Sequence, residues 1–244
     1  MAGYSESTRS LICVPTYNEA DNITAIVTEI FKFVPESTDI LVLDDGSPDG
    51  TAAIVEGIQK NYPRLHLMKR EKKDGLAAAY LAGFQWALKN NYDWVFEMDA
   101  DFSHNPRHLR EFFCTIATGK YDAVLGSRYV EGGGVSNWSK SRLLLSRGGS
   151  VYARLILRFD LLDWTGGFNA WSKELLNAID LPSVQSRGYA FQIELKYRSM
   201  NRGFAVKEIP IVFEERRAGT SKMSGSIVKE AIGGVLKMKI RDYS

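Results

Sequence analysis

The chain has 244 residues, 45% hydrophobic and 25% charged, enough to bury a full core as one domain. Its 31 basic and 29 acidic residues leave a formal charge of +2, which removes any general case for nucleic-acid binding. Two cysteines exclude a disulfide scaffold and fit no metal-ligand spacing; Cys13 lies in an apolar run and reads as a small core residue.

Met1 to Arg9 is polar and lacks the apolar stretch of a secretory signal. No run approaches the ~18–20 apolar residues of a spanning helix. The expectation is a cytoplasmic protein that at most lies on a membrane surface.

Leu11-Ile12-Cys13-Val14 stops at Pro15, as a strand buried on both faces would. Ile23, Ile26, Val27, Ile30, Phe31 and Val34 then share a helical face, with Asn18 and Asp21 expected as an N-terminal capping pair. Ile40 to Leu43 is a second buried strand, and Ala52 to Ile58 a second helix. Leu65 to Met68, Gly75 to Leu88, Trp94 to Met98, Pro106 to Ala117 and Ala123 to Gly126 continue as strand, helix, strand, helix, strand. This order predicts an α/β fold with a mostly parallel, Rossmann-like sheet flanked by helices, in a single domain.

The second half is less regular. Gly132-Gly133-Gly134 begins a loop, and Ser141 to Phe159 is helical but interrupted at Gly148-Gly149. Val206 to Phe213 reads as one strand carrying Pro210. A C-terminal helix over about 226–240 gathers Ile227, Val228, Ala231, Ile232, Val235 and Leu236 on one face, with Lys229, Lys237, Lys239 and Arg241 around it. That helix suits either an anionic membrane interface or ordinary core packing.

Ligands of an open parallel sheet bind outside the carboxyl ends of its strands. Three polar motifs occupy those positions: Pro15-Thr16-Tyr17-Asn18-Glu19, Asp44-Asp45-Gly46-Ser47 and Asp99-Ala100-Asp101. Helix capping explains Asp49 but not repeated carboxylates at three strand ends, so one shared site is expected. The chain lacks both GxGxxG and GxxxxGK[ST]. A carboxylate-rich site facing a diphosphate needs a bridging hard cation, Mg²⁺ or Mn²⁺.

These motifs, with Asp44 to Thr51 read in full, resemble the family 2 glycosyltransferases of the GT-A fold. Gly126-Ser127-Arg128-Tyr129, Arg142 to Ser146, Thr165-Gly166-Gly167-Phe168 and the spacing of Arg216, Gly219, Ser221 and Lys222 narrow the resemblance to the dolichol-phosphate (polyprenyl-phosphate) mannosyltransferases. It spans roughly residues 10 to 225 and divides the chain into a nucleotide-sugar half, about 10–125, and an acceptor half, about 126–225.

The resemblance implies an inverting transfer of mannose from GDP-mannose to a polyprenyl phosphate. Pro15, Tyr17 and Glu19, with Asp44 or Asp45, would form the nucleoside pocket. Asp99, Ala100 and Asp101 would hold metal and diphosphate, Ser103 standing where some relatives place a further metal contact. Arg128, Arg142 and Ser146 would hold the acceptor phosphate, and Arg216 and Lys222 a basic loop over the donor. Asp101, Arg128 and Arg142 are thus the expected catalytic residues. Gln192 is a candidate sugar contact, and Glu194 falls near where the wider family places a carboxylate base. The partners implied are the nucleotide-sugar, the lipid phosphate, and a membrane surface or small membrane subunit. A UDP-glucose donor, or a non-catalytic sugar-nucleotide-binding scaffold, are the competing readings. His66 is expected to be structural; His104 lies near the metal motif without a histidine-rich ligand set around it, and a place behind the metal residues is the less favoured reading.

Overall fold

The first half folds as its alternating apolar runs predict, in a computed structural model that describes residues 8–71, 73–214 and 225–240. Strands β1 (Ser10–Thr16), β2 (Thr38–Asp44), β3 (Leu65–Lys69), β4 (Trp94–Glu97) and β5 (Ala123–Ser127) alternate with helices α1 (Ile23–Phe31), α2 (Thr51–Ile58), α3 (Leu76–Lys89) and α4 (Leu109–Ala117). Then come β6 (Gly134–Val135), α5 (Lys140–Leu157), β7 (Asn169–Ser172), α6 (Lys173–Ala178), α7 (Gly188–Asn201), β8 (Val206–Pro210), β9 (Val212–Phe213) and α8 (Gly225–Ile240).

The main sheet has the order β3-β2-β1-β4-β7-β5-β8. All neighbours are parallel except β7, which runs antiparallel between β4 and β5. Successive strand residues point to opposite faces, and both faces are covered. Leu11, Cys13, Leu41, Leu43 and Val95 join the core under α3, α5, α6, α7 and α8, whereas Ile12, Val14, Ile40, Val42 and Phe96 join the core under α1, α2 and α4. Gly83 lets α3 seat closely on β1: a Cβ there would stand 2.7 Å from the Cys13 sulfur.

Three local expectations are corrected, and one strand had not been expected. Asn18 and Asp21 do not cap α1; Asn18 takes a left-handed turn, and the Glu19 carbonyl accepts the Asn22 and Ile23 N–H groups. Helix α5 runs unbroken through Gly148-Gly149, because Ser150, Ala153 and Leu157 hold its far end in the core. Two glycines weaken a helix by roughly 1 kcal/mol each but do not end it. The run from Val206 to Phe213 is two strands: β8 ends at Pro210, and β9 leaves the main sheet to pair in parallel with β6. Strand β7 was not foreseen, since a four-residue run beginning at Asn169 and ending at Ser172 carries no apolar signal.

Helix α8 packs against α7 and α5, with Val235 and Met238 buried and Leu236 and Ile240 exposed. The core-packing reading therefore holds for Val235 but not for Leu236. Among the described residues no helix is long and apolar enough to cross a membrane.

Candidate active site

The order β2-β1-β4 sets three carboxyl ends side by side, so the acidic motifs meet along one edge. The chain proceeds outward from β1 to β2 on one side and reaches β4 on the other, the switch point at which open α/β sheets bind ligands. Thr16 lies opposite Asp44 in the β1–β2 register, and the Met98 N–H reaches the Cys13 carbonyl.

The two aspartates after β2 differ. Asp44 is buried and accepts hydrogen bonds from Thr16 Oγ1 (3.0 Å), Ser47 Oγ (2.6 Å) and the Ser47 N–H (3.0 Å), so it holds the turn that follows β2. Asp45 pairs with Arg70 at 2.8 Å. Burial raises the Asp45 pKa against the pull of Arg70. Pro15 is half-buried at the end of β1, and the Tyr17 ring lies 3.4 Å beneath the Lys73 ammonium. The Glu19 N–H donates to Thr51 Oγ1 and its carboxylate accepts from Asn22 Nδ2. Asp49 stands one residue before the Gly50 N-cap of α2 and accepts from the Thr51 N–H and the Thr51 hydroxyl. Arg70 and Lys73 were not foreseen: they follow β3, whose end carries no acidic motif.

After β4, Asp99 is 26% exposed, whereas Asp101 and Ala100 are buried. Phe102 adopts φ +64°, rare for a bulky residue, and this turn brings the Ser103 N–H to Asp101 Oδ1 at 3.0 Å. The Ser103 hydroxyl is enclosed and has no partner among the described residues. Two carboxylates fit a hard divalent cation that keeps phosphate or water as its other ligands. Among the described residues no group of three or more His, Cys, Asp or Glu forms a fuller metal cage.

Arg128, Arg142 and Ser146, the residues expected at an acceptor phosphate, gather around Trp138. Arg142 stacks on its ring at 4.0 Å, and the Arg128 guanidinium lies 5.4 Å from the same ring. Arg128 Nη2 donates to Thr165 Oγ1 (2.7 Å), which lies 3.4 Å from Ser146 Oγ, and the Tyr129 hydroxyl donates to Ser146 (2.7 Å). Arg128, Arg142 and Ser146 therefore do form one cluster. Trp138 was missed as a member, an ordinary residue until the loops meet; Tyr129 and Thr165 stand in motifs that carried the resemblance but were given no role there.

Arg128 is not a free phosphate hook. It makes a bidentate, fully enclosed ion pair with Asp163, at 2.7 and 2.6 Å, and its N–H donates to the same carboxylate. Burial alone would raise the Asp163 pKa, yet the Arg128 charge and hydrogen bonds hold it at about 2. Gly166 lies close by: a Cβ there would come within 3.3 Å of the Asp163 carboxyl.

A polar layer runs beneath both halves. Asn169 Nδ2 donates to Glu97 Oε2 and Gln192 Oε1, each at 2.8 Å. Burial pushes the Glu97 carboxyl up to about 7, against the opposing Asn169 hydrogen bond. Lys196 Nζ donates to the Asp163 and Gly166 carbonyls at 2.9 and 2.8 Å, and burial pushes its pKa down to about 8. Gln192 is thus buried in this layer with Asn169 as its partner. Glu194 is enclosed in an ion pair with Arg198 and accepts the Ser186 N–H, which removes it as a carboxylate base. His66 is structural, 3.4 Å from Asp39 and tilted against Trp86. Arg216 and Lys222 lie outside the described residues.

Lys196 yields a pH test. Its folded pKa is depressed, so the native state holds fewer protons than the unfolded chain between about pH 8 and 10.5, and stability rises across that window. Relative to a Lys196→Met variant, the wild type should gain up to about 3 kcal/mol across it, read by urea unfolding. Parallel pH curves would contradict the burial of a charged Lys196.

The chain is 47% identical over 234 residues to the polyprenol monophosphomannose synthase of Mycolicibacterium smegmatis, covering 96% of this chain and 88% of that one. It is 43% identical over 229 residues to the undecaprenyl-phosphate mannosyltransferase of Micrococcus luteus, covering 94% and 93%. Among solved structures, glucosyl-3-phosphoglycerate synthase from Mycobacterium tuberculosis, in complex with Mn²⁺, UDP and phosphoglyceric acid, superposes with a TM-score of 0.72. That match covers 98% of this chain and 84% of the other at 18% identity, a likeness of fold alone. The family description "Glycosyl transferase family 2" matches residues 11–180, and with the two relatives it shows that this chain belongs to that family of glycosyltransferases.

Proposed function

We propose that the chain transfers mannose from GDP-mannose to a polyprenyl phosphate, with inversion at the anomeric carbon. The observation that carries the acceptor half is a pair of enclosed donors: Arg142 Nε and Trp138 Nε1 have no partner among the described residues. A buried donor left unpaired costs about 1–3 kcal/mol, so such a pair suits an acceptor-rich ligand such as a phosphate monoester. The names of the two relatives, each built on mannose and a polyprenol or undecaprenyl phosphate, support the same acceptor.

Helix α5 supports a lipid on that phosphate. Arg142 and Ser146, one turn apart, lie on the side that Ser150 and Ala153 continue into the core. Leu144, Val151 and Leu155 form a stripe on the other side, 74%, 56% and 71% exposed. Lys140, Arg147 and Arg158 are exposed beside it. Apolar residues with flanking cations suit an anionic bilayer surface.

In the proposed reaction an oxygen of the acceptor phosphate attacks the anomeric carbon. The bond from that carbon to the diphosphate oxygen breaks, and GDP leaves with the electron pair. A phosphate monoester is already anionic near neutral pH, so no general base is required. Pro15, Tyr17, Glu19 and Asp45 would seat the nucleoside, with Asp44 supporting the turn and Gln192 near the sugar. Asp99 and Asp101 would hold Mg²⁺ or Mn²⁺, whose charge offsets that of the leaving diphosphate. Arg142 and Ser146, braced by Arg128 and Thr165, would align the acceptor. Alignment and electrostatic stabilisation then supply most of the acceleration.

The test offers the purified chain radiolabelled GDP-mannose or UDP-glucose with a polyprenyl phosphate and Mg²⁺ or Mn²⁺. Label should enter lipid from GDP-mannose. Transfer from UDP-glucose alone would replace the donor, and none from any donor would favour the scaffold reading. In the same assay Arg142→Ala should raise the KM for lipid phosphate about 10- to 100-fold while the GDP-mannose KM stays near wild type. An unchanged lipid KM would remove Arg142 from the acceptor site.

A further inference from the structure

The turn carrying Asp99 and Asp101 also grips the strand that leads toward the acceptor cluster. The Glu214 N–H donates to the Ser103 carbonyl (3.2 Å), Asn105 Nδ2 to Glu214 Oε1 (2.9 Å), and the Val212 N–H to His108 Nε2 (3.2 Å). His104 and Phe213 form an isolated antiparallel bridge. Strand β9, held in this way, pairs with β6, which precedes Trp138 and α5.

His104 is the centre of this contact, only 2% exposed. Its Nδ1 accepts the Asp99 N–H at 3.0 Å. The ring stacks on Phe168 with centroids 4.9 Å apart and meets Phe213 edge-on at 5.4 Å. Phe213 meets Trp138 edge-on at 5.3 Å, and Trp138 is the ring that carries Arg142 at 4.0 Å. An unbroken chain of contacts therefore runs Asp99, His104, Phe213, Trp138, Arg142.

We infer that His104 is a positioning residue with two separable duties. Its Nδ1 sets the backbone at the donor carboxylate, and its ring sets Phe213 and, through it, the aromatic platform under the acceptor arginine. The inference rests on the donor and acceptor reading above. A histidine that merely fills the core would lower stability when replaced and leave the two substrates' constants in their original ratio.

Two replacements separate the duties. His104→Phe keeps a ring and removes the acceptor nitrogen; His104→Asn keeps a side-chain acceptor and removes the ring. With the full chain, GDP affinity by calorimetry in the presence of Mg²⁺ and the KM for each substrate are measured beside thermal melting. His104→Phe should weaken GDP and raise the GDP-mannose KM by about tenfold, with the polyprenyl phosphate KM within about twofold of wild type. His104→Asn should show the reverse split. Phe213→Leu, at a half-buried position, should match His104→Asn, and it decides the matter if either histidine variant fails to fold. Joint movement of both constants, an unchanged lipid KM in Phe213→Leu, or lower melting with unmoved constants would each overturn the inference. A wild-type chain that transfers no sugar would overturn the reading of function and this inference with it. Transfer by the wild type without the split overturns the inference alone.

Discussion

Asp101→Asn should lower sugar transfer on the order of 10³-fold while the protein keeps its fold. The carboxylate is buried at the end of β4, and its Oδ1 accepts the Ser103 N–H at 3.0 Å. An asparagine oxygen can accept that N–H, so the turn through Phe102 survives. The charge that would hold the metal beside the diphosphate does not, and no larger cluster of ligating residues stands in for it among the described residues. Transfer into lipid and thermal melting are read together. A rate within tenfold of wild type, at unchanged melting temperature, would remove Asp101 from the metal and diphosphate site.

Asp163→Ala should destabilise the chain by about 3–5 kcal/mol, because it leaves the buried Arg128 guanidinium without its carboxylate. Breaking such a pair costs more than the pair contributes, since one charge remains desolvated and unmatched. Asp163→Asn should lose less, because it preserves the shape and an oxygen for the Arg128 donors. Replacing both partners, as Arg128→Met with Asp163→Leu, should recover part of the stability lost by Asp163→Ala, while acceptor use stays impaired. Urea unfolding of the variants checks this, and a loss below about 1 kcal/mol for Asp163→Ala would show that the charge finds water. Arg128→Ala is correspondingly a poor probe of acceptor binding, since it strands Asp163. Arg142, whose Nε has no partner among the described residues, is the cleaner one.

The carboxylate-rich edge of the sheet was legible because its signals are local. Leu11 to Val14 and Ile40 to Leu43 are apolar at every position, which only a strand covered on both faces explains, and the carboxylates follow at once. The strand order then brings Asp45 and Asp99 to one edge, as expected of parallel strands leaving the sheet in the same direction. Arg70 and Lys73 escaped notice because their role depends on what β3 faces across the sheet, and no neighbour in the chain reveals that. Arg128, Arg142 and Ser146, proposed for the acceptor phosphate, were singled out through resemblance, but not the state of Arg128. Its partner Asp163 lies 35 residues away, in a loop whose sequence looks like a connection.

By itself, the sequence determined the alternation of strands and helices, the parallel sheet of the first half and the carboxylates at its edge. These follow from periodicity and from side chains adjacent to the elements that place them. Tertiary structure alone decided the antiparallel insertion of β7, the pairing of β6 with β9, the enclosure of Arg128 by Asp163, and the contact of His104 with Phe213. Each depends on desolvating a polar or aromatic group against a partner distant in the chain, and the energy of that step is set by the surroundings the fold supplies rather than by the residue's own type.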